Sequence, residues 1–119
     1  MVVRIDERAT GPLRGDYPAA DLAAVSLVDV MKALADPVRL QIMRVLATGE
    51  PLNKSTTDWG CDLSRATMSH HFRILREAGL TLTFADGRAH RVQLRRKEFE
   101  AQFPGLLDAL MTNSGPASR

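Results

Sequence analysis

The chain has 119 residues, 45% hydrophobic, 5% aromatic and 25% charged, with a net charge of +2. That describes one small domain with an aliphatic core, and a chain this short gains from self-association because it buries only a modest share of its surface. The single cysteine, Cys61, excludes an internal disulfide, no stretch is apolar enough to span a membrane, and the first residues hold no signal-peptide core, so the cytoplasm is the expected compartment.

Residues 1–18 combine Gly, Pro and mixed charges without periodicity and are expected to form a flexible N-terminal arm. Ala19 to Ala35 reads as one helix. Its polar residues Ser26, Asp29 and Lys32 make a narrow stripe, and the rest is almost wholly aliphatic. Such a helix needs cover on more than one side, and a second subunit would supply it. Asp36-Pro37 is a helix start, with Asp at the N-cap and Pro at the first helical position. That helix runs to about Ala47 and stops at Gly49. Pro51 to Cys61 contains the poor helix formers Ser55, Thr56, Thr57 and Asp58, yet Leu52 and Trp59 are placed to anchor a short helix.

Ser64 is a good N-cap for a helix reaching Ala78, with Gly79 as its stop. At 100° per residue, Met68, Phe72 and Leu75 share one face, flanked by His71, Ile74 and Ala78. The opposite face carries Arg65, Ala66, Ser69, Arg73, Arg76 and Glu77, with His70 near its edge. Leu80 to Ala85 and Arg88 to Leu94 then read as strands joined by a tight turn at Asp86-Gly87. Phe99, Phe103, Leu106, Leu107 and Leu110 recur at helical spacing, and Pro104 is expected to break this run and start a last helix. Residues 19–112 make the single domain, and the tail over 113–119 is expected to be disordered.

Charge is unevenly placed. From Leu63 to Lys97 eight Lys/Arg oppose two acids, a net of +6 that leaves −4 elsewhere. A basic third on an otherwise acidic chain fits a nucleic-acid face, although a solvated surface accounts for it equally on charge alone. The element order sharpens the reading. A basic helix, preceded by a tight turn and followed by a hairpin, is the layout of a winged helix-turn-helix, mainly α with a β-hairpin wing. A helix entering the major groove needs small or hydrogen-bonding residues near its N-terminus. Ser64, Arg65, Ala66, Thr67, Ser69 and His70 meet that condition, with Arg65, Thr67, Ser69 and His70 expected on base edges. Arg73, Arg76, Arg88 and Arg91 are expected mainly on phosphates, and Arg88, His90 and Arg91 form the wing.

Two motifs carry a resemblance. Ala33-Leu34-Ala35-Asp36-Pro37-Val38-Arg39-Leu40 resembles the start of the second helix of ArsR-type regulators. The run from Asp62 through Ser64-Arg65-Ala66-Thr67-Met68-Ser69-His70-His71-Phe72 to Leu80 resembles their recognition helix, and the likeness spans roughly Leu22 to Leu110. It implies a homodimer paired through the first and last helices. It also implies binding to an inverted repeat in double-stranded DNA, and repression relieved by an inducer that the sequence does not identify.

The chain departs from the metal-sensing members. One of their site types places cysteines before the recognition helix, where this chain has only Cys61. Another uses His and carboxylates on the last helix, which has no histidine here. One thiolate makes no soft-metal site within a subunit, so neither metal nor cofactor is expected. Cys61 is expected to be core, and a redox-sensing role would require exposure and a lowered pKa. His71 is expected to be packed and hydrogen-bonded, while His70 faces either DNA or plain solvent. The rival reading, a winged helix that binds proteins, is opposed by the retention of Arg65, Arg73, Arg88 and Arg91. Paired carboxylates, nucleophile motifs and phosphate loops are missing, so an enzyme is not expected.

Overall fold

The computed structural model describes residues 17–113. The expected arm and tail fall outside these residues except for Tyr17, Pro18 and Asn113. In chain order a 3-10 turn (Leu22–Ala24) precedes helices α1 (Leu27–Leu34) and α2 (Pro37–Val45). A second 3-10 turn (Leu46–Thr48) follows, then the two-residue strand β1 (Leu52–Asn53) and helix α3 (Arg65–Glu77). Strands β2 (Thr81–Asp86) and β3 (Ala89–Leu94) and helices α4 (Arg96–Gln102) and α5 (Leu106–Asn113) complete the fold. Five α-helices with a small antiparallel sheet make a winged helix-turn-helix. No helix among the described residues is long and apolar enough to cross a membrane.

The sheet has the order β1-β3-β2. Thr81 pairs with Leu94, Thr83 with Val92 and Asp86 with Ala89, while Leu52 pairs with Val92 on the other edge. The core lies between this sheet and the helices. Val30, Ile42, Met43, Leu46, Leu75, Leu80, Val92, Phe99 and Leu107 are fully buried. Each such side chain contributes roughly 1.5–3 kcal/mol by leaving water.

Four expectations need correction. The single helix over Ala19 to Ala35 is instead a 3-10 turn and a separate helix. Asp21 caps the first by accepting from the Ala23 amide, and Ser26, extended at ψ 154°, caps the second by accepting from Asp29 at 3.0 Å. Two N-caps within six residues start two elements, and the bend between them brings Leu22 and Val25 against Gly79. Gly79 takes φ +82°, and a β-carbon there would strike the Leu22 side chain. The glycine therefore both ends α3 and lets the N-terminal turn dock on it.

The short helix expected between Pro51 and Cys61 does not form. Asn53 Oδ1 accepts from the amides of Ser55 (2.8 Å) and Thr56 (3.1 Å), and Asp58 Oδ1 accepts from Gly60 (2.9 Å). These side chains satisfy the local backbone in turns and compete with helix. Leu52 and Asn53 join the sheet instead, and Trp59 anchors the loop. Its indole donates to the Lys54 carbonyl at 3.0 Å, and its ring meets Phe72 edge-on at 5.1 Å.

The hairpin turn sits one residue later than expected. Asp86 ends β2 and pairs with Ala89, leaving Gly87 (φ +64°) and Arg88 as the two turn residues. After Phe103 the chain breaks at Pro104-Gly105 as expected, but α5 starts at Leu106 rather than Pro104.

Candidate nucleic-acid interface

Helix α3 presents two chemically different faces. Met68, His71, Phe72 and Leu75 are buried, and Arg65, Ala66, Thr67, Ser69, His70, Arg73 and Glu77 are exposed. Met68 and Phe72 fix the rotation of the helix, because they repeat at the spacing that keeps one side in the core. Ser64 fixes its start. The Ser64 hydroxyl accepts from the Thr67 amide at 3.1 Å and donates to the Thr67 hydroxyl at 2.9 Å. A cap of this kind stabilises a helix by about 1 kcal/mol. Ser64 is thus committed to capping, while Thr67 keeps its own hydroxyl proton to offer outward.

Further along the same face, Arg73 lies 3.2 Å from His70 Nδ1. Arginine only donates, so Nδ1 accepts and the ring proton sits on Nε2, a donor pointed away from Arg73. His71 is buried on the other flank, where Arg39 donates to its Nδ1 at 3.0 Å and Asp36 lies 3.9 Å away. Burial holds the His71 pKa below its usual range; Asp36 opposes this, while Arg39 and His70 add to it. Asp36 also caps α2 through the amides of Val38 and Arg39. The Asp36–Arg39–His71 group therefore clamps the start of α2 to the middle of α3.

The strand register sorts the wing residues. His90 alternates with Val92 and Leu94, both buried, so it shares the face turned to α3. Arg91 lies on the reverse face with its cross-strand partner Phe84, and its Nε donates to Asp86 at 2.9 Å. Arg88 is exposed at the turn. The basic segment is thus divided in use. Arg95 donates to the Ala20 carbonyl at 2.9 Å, and Arg96 donates to the Ala47 carbonyl at 3.1 Å while lying 3.7 Å from Asp108. Arg65, Arg73, Arg76, Arg88 and Arg95 are the arginines of this segment outside any ion pair among the described residues, and of these Arg95 is taken up by the Ala20 carbonyl.

Lys54 and Tyr17 join the site without having been singled out in the sequence. The Lys54 amide donates to the His90 carbonyl at 2.8 Å, continuing the β1–β3 ladder past Asn53. This places its ammonium 5.1 Å from the Phe72 ring centre and 5.8 Å from that of Tyr17. The Tyr17 hydroxyl is hydrogen-bonded to His90 Nδ1 at 3.1 Å, and the Arg76 guanidinium lies 5.5 Å from the Tyr17 ring. Burial lowers the Lys54 pKa, and the Arg76 charge lowers it further. Arg76 is half-buried, unlike the other basic residues of α3. No local motif marks Lys54, and its ladder bond to His90 is the signal that only the fold supplies.

Cys61 packs at the edge of the core, with its thiol near the Trp59 carbonyl at 3.7 Å. Burial raises its pKa, helped by Asp36 and Asp58, so the thiol form is favoured. Among the described residues no three His, Cys, Asp or Glu side chains gather where a metal could be held.

Comparison with known proteins agrees with this geometry. A helix-turn-helix domain model matches residues 34–83, which run from the end of α1 into β2. An HTH-type transcriptional regulator of Bacillus subtilis, YceK, is 42% identical over 82 residues, covering 68% of this chain and 82% of its own. The arsenical resistance operon repressor of Staphylococcus xylosus is 34% identical over 77 residues, covering 60% of this chain and 67% of its own.

Proposed function

The chain belongs to the ArsR-type helix-turn-helix family of DNA-binding transcriptional regulators, and we propose that it acts as a homodimeric repressor on an inverted-repeat operator. The outer face of α3 carries this reading. From Arg65 to Arg73 its exposed side chains are small, hydroxylic or basic, the Ser64 cap fixes its start, and the Asp36–Arg39–His71 group ties it to α2. In this reading Arg65, Thr67, Ser69 and His70 contact base edges, and Ser64 and Ala66 let the helix N-terminus approach the groove floor. Arg73, Arg76 and Arg88 contact phosphates, while His90 and Arg91 support the wing.

The dimer is inferred from α1. Leu27, Val28 and Met31 are 51%, 61% and 52% exposed on one side of a helix whose other side, Val30, Ala33 and Leu34, is buried. Leu110 and Met111 of α5 are partly buried apolar residues of the same kind. A face this apolar calls for a partner, and a second copy paired through α1 and α5 would give the two reading helices an inverted repeat requires. The staphylococcal relative is itself an operon repressor, which supports the direction of regulation. An arsenical or soft-metal signal is not carried over, because one thiol per chain, itself favoured in the protonated form, lacks the ligand number. The same protonated state removes support from thiol redox sensing through Cys61.

Operator selection from genomic DNA with the purified protein tests this reading. An inverted repeat should be recovered, and Arg65→Ala with Ser69→Ala should abolish discrimination between that repeat and random duplex. Intact discrimination in the double variant would remove α3 as the reading element. Recovery of no sequence at all would leave a protein-binding winged helix as the better account.

A further inference from the structure

We propose that Lys54, with Arg76 and His90 arranged around Tyr17, forms a site for a DNA backbone phosphate in the notch between the reading helix and the wing. The proposal rests on the operator-binding reading above and adds a contact that neither the helix nor the wing supplies alone.

The groups come from four parts of the chain and meet around one ring. Lys54 follows β1, Arg76 lies on α3, His90 on β3 and Tyr17 before the first 3-10 turn. The two cations sit 5.8 and 5.5 Å from the Tyr17 ring centre, and the imidazole is bonded to its hydroxyl at 3.1 Å. Among the described residues no carboxylate lies within ion-pair distance of Lys54 or Arg76. This decides what the cluster is suited to. A carboxylate would fix the cations by neutralising them, whereas aromatic faces hold them in place and leave their charge available. A half-buried ammonium stripped of part of its water is costly unless an anion meets it.

The position suits DNA rather than a generic anion. A helix in the major groove and a wing in the adjacent minor groove are separated by a single sugar-phosphate strand. In the operator-binding reading above, that strand passes over the notch where Lys54, Arg76 and His90 converge. Lys54 serves as the point charge, and the Tyr17 ring lies against both cations while its hydroxyl joins His90 of the wing.

The test is the salt dependence of duplex binding by the full chain, read by fluorescence anisotropy from about 50 to about 200 mM KCl. The duplexes are the selected operator and a random sequence. Lys54→Gln should weaken both to the same degree and lower the slope of log K against log salt by about 0.9, one phosphate's worth. Lys54→Arg should restore the slope, which a purely structural role of the lysine would not predict. Wild-type binding with an unchanged slope in Lys54→Gln, or a loss that Lys54→Arg leaves unrepaired, would overturn the contact alone. A wild-type chain with no salt-dependent binding would overturn the operator reading and this site together. Inorganic phosphate, titrated without DNA and followed by the tyrosine ring resonances, should give no saturable shift. A saturable shift lost in Lys54→Gln would reassign the cluster to a free anion and end its assignment to DNA.

Discussion

His71 shows how one residue of α3 links stability to pH. Its imidazole is buried against Arg39 and Asp36, with His70 beside it, and the folded state resists protonating it. In the unfolded chain the same group takes up a proton near 6.5. Below that pH the unfolded state binds more protons than the folded one, so stability falls as pH falls. The stabilisation is complete above about 6.5 and is lost as the pH drops through the depressed folded value. Melting temperatures of the wild type should decline from pH 7.5 to pH 5.5 more steeply than those of His71→Gln. Parallel curves for the two proteins would show that Asp36 offsets the burial fully and that His71 is pH-silent. Cys61, by contrast, offers no comparable handle, because its surroundings favour the thiol throughout the neutral range.

At the level of elements, the sheet decides which wing residues are available. Period-two alternation places His90 toward α3 and Arg91 on the reverse face, where Asp86 holds its guanidinium at 2.9 Å. Arg88 sits at the exposed turn beside Gly87. Replacing Arg88 with Ala should therefore reduce the salt slope of DNA binding by about one phosphate contact, and Arg91→Ala should reduce it by less. Equal losses would mean that Arg91 leaves Asp86 to reach DNA. The irregular loop over residues 54–63 matters at this scale too. It replaces a regular helix before α3 with turns built on Asn53 and Asp58, and Trp59 holds those turns against Phe72. That arrangement fixes Lys54 beside the wing, where a helix would have carried it elsewhere.

For the whole molecule the open question of surface is α1. Its outward Leu27, Val28 and Met31 stay exposed in a single chain, so changing them should not disturb the fold of that chain. Val28→Glu combined with Met31→Glu should convert a dimer to a monomer in sedimentation while leaving helical content unchanged. Operator affinity should then fall by roughly a hundredfold or more, because two linked half-site contacts become independent ones. A double variant that still sediments as a dimer would move the interface away from α1. The charge pattern also resolves only at this scale. Of the eight basic residues between Leu63 and Lys97, Arg91, Arg95 and Arg96 are bound to carboxylates or backbone carbonyls of the protein, whereas Lys54 from outside that run joins the basic face.

Elements whose signals are local can be read from the residues alone. Asp36-Pro37 and Ser64 start α2 and α3, Gly79 ends α3, Gly87 turns the hairpin and Pro104-Gly105 separates the last helices. The outer face of α3 was legible for the same reason, since its 3.6-residue period follows from core burial of Met68, Phe72 and Leu75. Features that depend on distant partners were decided by tertiary structure. Asp21 and Ser26 fall within one largely aliphatic run that suits a single helix, yet docking of Leu22 and Val25 on Gly79 favours two caps and a bend. Leu52 and Asn53 became a strand because β3 offers an unpaired edge, which no local propensity reveals. Charge carries no address in a sequence, so only packing could separate arginines that bind carbonyls and carboxylates from those left exposed to solvent.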